Sequence, residues 1–292
     1  KGDQALRSLT LVEGWNFREV LKAVRQSPDL AQDLEGLSAA DIMARIGYPG
    51  RHPEGRFFPD TYRMVRGASA ASVLRQAAQA MDQRLAQAWA QRAPDAMVKT
   101  PEQALILASI IEKETGVDSD RALVGGVFNN RLRIGMRLQT DPTVIYGLGE
   151  RYNGKLTRAH LKEANPYNTY MIAGLPPTPI AMVGREAIHA ALNPVPGSSL
   201  YFVARGDGSH VFSDDLDAHN NAVREFQLKR RADYRSSPAP ANAPAAPATD
   251  EAIPAASPDT APEALPQVPA QDPAPVPTPA AEPQTAAPQN AQ

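Results

Sequence analysis

The sharpest chemical candidate in this chain is a carboxyl group at the end of an aliphatic run. In Leu105-Ile106-Leu107-Ala108-Ser109-Ile110-Ile111-Glu112-Lys113-Glu114-Thr115, two acids stand two residues apart. On a helix such residues project roughly 200° apart, so they meet different surroundings. Glu114 continues the stripe of Leu107, Ile110 and Ile111, all large and aliphatic. Glu112 follows Leu105, Ala108 and Ser109, a smaller and more polar stripe. A carboxyl held against apolar neighbours is desolvated, which raises its pKa. A raised pKa suits a general acid for glycosidic cleavage. Glu114 is therefore the candidate acid and Glu112 the reserve. The same helix also fits a plain ion pair at its end, the commoner use of such a residue.

Other polar groups could line a sugar cleft. Gln139, Thr140 and Asp141 follow a cluster of Arg131, Arg133 and Arg137. Tyr167, Asn168 and Thr169 precede the stiff loop Gly174-Leu175-Pro176-Pro177-Thr178-Pro179. Rings stack on sugar faces and amides bridge hydroxyls, although a packed loop would use the same residues. Other chemistries lack their residues. The chain has no cysteine, which excludes disulfides, zinc–thiolate sites and thiol nucleophiles. The histidines, His52, His160, His189, His210 and His219, show no metal spacing. No Gly-x-Ser-x-Gly, phosphate loop or dinucleotide fingerprint occurs, nor a basic aromatic stripe for nucleic acid.

These candidates need elements to hold them. Leu6–Glu13 alternates as a strand, and Asn16 can cap a helix carrying Phe17, Val20, Leu21 and Val24. Ser38 caps a short helix with Ile42, Met43 and Ile46. The stretch 53–63 reads as extended structure and loop, and Ser72–Arg92 as a long helix. Thr100-Pro101-Glu102 opens the helix of the two acids, which stops at Gly116. Asp118 or Ser119 caps a helix over Arg121–Leu132, in which Gly125-Gly126 permits close packing. Leu138–Thr143 reads as a loop around Pro142. Gly184–Leu192 reads as a short helix, Leu200–Ala204 and His210–Ser213 as a hairpin, and Ala218–Asp233 as a last helix. The expected class is α+β.

Composition divides the 292-residue chain. Beyond Ser237 it is almost wholly Ala, Pro, Thr and Gln, with six acids and no Lys or Arg. Such a segment buries too little apolar surface to fold and is expected to be disordered. Its −6 against −2 for the whole leaves the body near +4. No stretch is long and apolar enough to span a membrane. The polar start Lys1-Gly2-Asp3-Gln4 is expected to lie inside a longer gene product.

Several motifs together resemble one family. Leu107–Thr115, Val127-Phe128-Asn129-Asn130-Arg131-Leu132, Met136–Val144, Tyr167-Asn168-Thr169-Tyr170 and Gly174-Leu175-Pro176-Pro177 are similar to the MltG (YceG-like) endolytic murein transglycosylases. So are Glu54–Tyr62 upstream and Tyr201-Phe202-Val203 with His219-Asn220 downstream. The resemblance implies a LysM-like module (residues 1–66), a mixed α+β catalytic domain with a lysozyme-like helix (67–236) and the disordered Pro/Ala-rich tail (237–292). It implies endolytic cleavage of the MurNAc–GlcNAc bond in nascent peptidoglycan, leaving a 1,6-anhydro-MurNAc end, with no metal or cofactor. Glu114-Thr115 resembles the Glu-Ser signature of other lytic transglycosylases. Gln139, Thr140, Asp141, Tyr167, Asn168 and Thr169 are expected to position the sugar. Partners implied are glycan strands, peptidoglycan synthases and the bacterial inner membrane, reached through a single-pass anchor upstream, with this part in the periplasm. Two other readings stay open: a hydrolytic muramidase with Asp141 as second carboxylate, and a non-catalytic glycan-binding scaffold.

Overall fold

A computed structural model describes residues 6–228. The expected tail at 237–292, and the end of the helix expected to reach Asp233, lie outside the described residues. The fold is mixed α and β, with short two-stranded sheets set around a helical centre.

The first segment begins with strand β1 (Arg7–Thr10), paired antiparallel with β3 (Thr61–Met64) so that Leu9 lies opposite Tyr62. Between them run α1 (Phe17–Gln26), β2 (Leu30–Ala31) and α2 (Ala39–Arg45). Asn16 and Glu19 close a capping box at the start of α1, and the Ser38 side chain accepts from Asp41 N at the start of α2. Strand β2 pairs in parallel with β4 (Ala68–Ser69). The two-residue pairing was not expected, because strands that short leave no periodic signal.

Helix α3 (Ala70–Ala90) starts at the Ser69 cap and spans two hydrophobic clusters. Its first half, Ala70 to Ala78, packs on Leu9, Val20, Ile42 and Met64 of the opening segment. Its second half, with Met81 and Leu85, packs against α4 (Pro101–Glu114) and α8 (Arg185–Leu192). The core of the opening segment thus continues past Gly67 into α3.

Helix α4 is central. Every residue from Ala104 to Ile111 is buried, Ser109 included. It was expected to bury one face, but α3, α5 (Asp118–Arg133), α6 (Asp141–Leu148) and α8 all pack against it. A helix that is apolar nearly all round is one with neighbours all round. Helix α5 begins at Asp118, earlier than expected and without a side-chain cap: Asp118 pairs instead with Arg121. Helix α6 begins inside the loop expected at Leu138–Thr143, which therefore holds only for residues 138–140. Pro142 stands in its first turn, where the missing N–H costs nothing.

Helix α7 (Arg158–Lys162), also unexpected, is capped by Thr157 and His160 and meets α6 across Val144, Leu148 and Leu161. The hairpin β5 (Tyr201–Ala204) and β6 (His210–Ser213) follows as read, and α9 (Leu216–Val223) runs into a π-helical turn at Arg224–Leu228.

Candidate active site

Glu114 is the last residue of α4. Thr100 caps the far end of that helix, Pro101 opens it, and buried Ser109 fastens it by accepting from Ile180 N at 2.9 Å. The rod is therefore fixed and delivers Glu114 at a defined place. Its side chain accepts a hydrogen bond from the Thr140 hydroxyl. Burial pushes its carboxyl up to about 7; nearby Asp141 adds to the rise, while Thr140 and Arg131 oppose it. The C-terminal end of a helix carries partial negative charge, which also disfavours the anion. The residue as a whole keeps partial exposure, toward a cleft of about 450 Å³.

Glu112 is as deeply placed, with a side chain 6% exposed. The expected contrast between an apolar and a polar stripe does not separate the two acids, since Leu105, Ala108 and Ser109 are all fully buried. Their partners do. Glu112 accepts from Gly184 N at 3.0 Å at the head of α8, and the Arg121 guanidinium stands 4.0 Å away. Burial raises its pKa, and neighbouring Glu13 adds to the rise. Glu112 is engaged in joining α4, α5 and α8. Glu114 has a hydroxyl for a partner rather than a cation.

Thr140 stands at the N-cap of α6 yet makes no capping bond there; its hydroxyl is turned to Glu114 instead. The turn before it is held hard. Gln139, with φ of 47°, is the one non-glycine residue at positive φ among the described residues, and its N–H reaches Thr169 O at 3.2 Å. A left-handed conformation at such a residue costs on the order of 1 kcal/mol and persists only where the surroundings enforce it. Thr169 Oγ1 accepts from Thr140 N at 3.0 Å and bonds Thr143 Oγ1 at 2.8 Å. Arg131, buried beneath, donates to Leu138 O at 2.5 Å and Leu200 O at 2.7 Å.

The remaining expected site residues divide between the acid and its support. Asp141 is exposed and accepts from Tyr170 Oη at 2.7 Å. Asn168 is 1% exposed, its amide spent on the carbonyls of His160, Leu161 and Glu163 and its oxygen on Tyr170 N. Thr169 is fully buried. Tyr167 packs on Tyr146 and bonds Thr178 Oγ1 at 2.8 Å. All three are thus occupied within the protein: Thr169 braces the turn that holds Thr140, Asn168 ties the adjoining loop to α7, and Tyr167 bonds Thr178. Among the described residues no group of three or more His, Asp or Glu is placed to hold a metal ion.

The opposite wall of the cleft comes from far away in sequence. Glu13, Gly14, Trp15 and Glu19 line it together with Glu112–Gly116 and Arg121. Backbone bonds tie this wall to the chain just before α8: Gly14 N to Met182 O at 2.9 Å, and Met182 N to Trp15 O at 2.6 Å. Lys113 Nζ adds a bond to Gly14 O at 3.1 Å. Behind this seam, buried Glu54 accepts from Phe17 N at 3.0 Å and from Tyr146 Oη at 3.0 Å, tying α1 to α6. Burial pushes the Glu54 carboxyl up to about 7. Next to it Gly55 has φ of +74°, and a Cβ there would lie 2.6 Å from Pro179. Only glycine allows the loop this approach. Sequence reasoning missed the part played by Glu13, Trp15, Glu19 and Arg121, since nothing local in Glu13-Gly14-Trp15 announces a contact with α4. Tyr170 carried a signal, standing beside residues already singled out.

The pattern of the YceG-like family matches residues 1–225, and the chain belongs to that family. Similar proteins include the endolytic murein transglycosylase of Bacillus subtilis (strain 168), 42% identical over 122 residues, or 42% of this chain and 34% of the relative. The endolytic murein transglycosylase of Streptococcus pneumoniae serotype 2 (strain D39) is 31% identical over 211 residues, 70% of this chain and 36% of the relative. The chain therefore spans about a third of the length of these relatives. A 2.6 Å crystal structure of a putative YceG-like protein from Listeria monocytogenes matches with a TM-score of 0.61 at 31% identity, over 74% of this chain and 75% of that one.

Proposed function

We propose that this chain is the cutting part of an endolytic peptidoglycan lytic transglycosylase, with Glu114 as its acid and base. One observation carries the reading: a carboxyl pushed up to about 7 by burial, bonded by a hydroxyl and placed on an open cleft. The names of its relatives point the same way.

Protonated Glu114 gives its hydrogen to the glycosidic oxygen as the bond from that oxygen to C1 of MurNAc breaks. The ring passes through an oxocarbenium-like state. The Glu114 carboxylate then takes the proton of the C6 hydroxyl, O6 bonds to C1, and the 1,6-anhydro ring closes. The proton count balances and water is not consumed, unlike the two-carboxylate hydrolases. Thr140 steadies the carboxyl, and the fixed charge of Arg131 favours the anion once it forms. Gln139 and Thr169 serve by positioning Thr140, Asn168 and Tyr167 by holding the adjoining loop, and Asp141 with Tyr170 borders the acid. Glu112 remains the reserve. A hydrolase using Asp141 is the rival, since Asp141 is exposed and close enough to raise the Glu114 pKa.

The opening segment, residues 1–66, which packs on the first half of α3, is proposed as the LysM-like module, with 67–236 as the catalytic domain. The site of action is outside the cytoplasm, on glycan strands, with the synthases that make them as partners and an inner-membrane anchor upstream. Among the described residues no helix is long and apolar enough to cross a membrane.

The test is substitution of the acid. Glu114→Gln keeps the size and the bond with Thr140 but has no proton to give. Counted as new chain ends on purified glycan strands, cutting should fall at least about a thousandfold, the scale of removing an essential acid–base group. Circular dichroism should stay unchanged. Cutting at the wild-type rate by this variant overturns the assignment.

A further inference from the structure

The cleft beside Glu114 is rich in groups that hydrogen-bond and poor in groups that offer an apolar face. Its lining contains Glu13, Glu19, Glu112, Lys113 and Arg121, with Thr115 and two glycines between them. Trp15 is the one large apolar side chain among these lining residues. A pyranose ring presents hydroxyls around its edge and a patch of C–H groups on its face. The edge can be met by the polar groups, but the face requires a flat apolar partner, and an indole has the largest available.

Trp15 is also held in place. Its carbonyl receives Met182 N at 2.6 Å, and the preceding residue both donates to Met182 O and receives Lys113 Nζ. Lys113 is the immediate neighbour of Glu114, so the seam fixes the indole relative to the acid. Gly14, at φ of +77°, makes the turn that brings Trp15 to this wall. The indole is partly buried against the core of the opening segment, and Trp15 is among the residues that line the cleft. A ring with few rotatable bonds, on a backbone pinned at both sides, loses little freedom when a sugar arrives.

We propose that Trp15 is a substrate-binding residue, the stacking platform for an N-acetylated pyranose in the cleft next to Glu114. The inference rests on the glycan-cleaving reading above. It makes the opening segment half of the active cleft rather than a remote tether. Stacking on a ring face touches no reacting atom and holds ground state and transition state alike, so its loss appears in KM and not in kcat.

Two measurements test this. In steady-state cutting of uncrosslinked glycan strands, Trp15→Phe, which keeps a ring face, should hold KM within about threefold of wild type. Trp15→Leu keeps apolar bulk without the face and should raise KM about tenfold, with kcat within about twofold. Equal KM in wild type and both variants overturns the proposal, as does equal loss in Phe and Leu, which would mark packing alone. The second measurement does not depend on turnover. The chain has two tryptophans, so Trp89→Phe leaves Trp15 as sole reporter, and Glu114→Gln is added to prevent cutting. Glycan strands should shift its emission saturably, at the affinity found by calorimetry. Calorimetric binding with unchanged emission, or no binding, sinks the platform. Wild-type cutting by Glu114→Gln would instead sink the catalytic assignment, and calorimetry with the emission of the Trp89→Phe background would still decide Trp15.

Discussion

For a carboxyl group, the ability to deliver a proton near neutrality is obtained at the expense of the fold. Glu114 prefers to be neutral in the folded chain because burial raises its pKa to about 7 from an ordinary 4.5. Between those values the native state binds a proton that the unfolded chain has released, so stability falls as pH rises through the window. Below about 4.5 the penalty is absent; above about 7 it is complete. Glutamine pays nothing. Glu114→Gln should melt with wild type near pH 4 and above it at pH 8, by about 1–3 kcal/mol in thermal or denaturant unfolding. A variant less stable than wild type at pH 8 contradicts the burial argument. The helical spacing that puts Glu114 behind Leu107, Ile110 and Ile111 was legible, but it does not separate the two acids, since the stripe behind Glu112 is buried as well. The ground on which the fold separates them was not legible, because Gly184 and Arg121, the partners that occupy Glu112, are remote from it or belong to another helix.

Helices carry the second layer of the account. Local signals read well where a cap or a proline stood at an edge: Asn16, Ser38 and Thr100 each accept the bond that starts their helix. They misled at Pro142, which reads as a breaker but serves in the first turn of α6. The glycines of α5 were legible as packing residues, and the fold gives the contact. A Cβ on Gly125 would lie 2.5 Å from Ala190 O on α8, a backbone atom that cannot swing aside. Alanine would gain about 1 kcal/mol in helix propensity. Forcing α5 from α8 costs about 1–3 kcal/mol, and Asn129, which reaches across to Ala191 O at 3.3 Å, would be pulled with it. Gly125→Ala should therefore lower Tm by a few degrees. An unchanged or raised Tm would mean that the helices part without strain.

Across the whole molecule, two hydrophobic clusters share α3, and the seam at Trp15 and Met182 with the Glu54 bridge to Tyr146 closes the space between them. That closure is what turns the end of α4 into a cleft. It was illegible beforehand because each contact joins residues far apart in the chain, and sequence periodicity reports only neighbours. The strand–helix–helix opening and the two-acid helix were each readable alone; their meeting was not. The reaction assigned to the cleft has one signature that no binding protein or hydrolase shares. Mass spectrometry of the new MurNAc ends made from purified glycan strands should find them one water lighter than a reducing end, as the 1,6-anhydro ring requires. New ends of full reducing-sugar mass, or strands left uncut, would contradict the account.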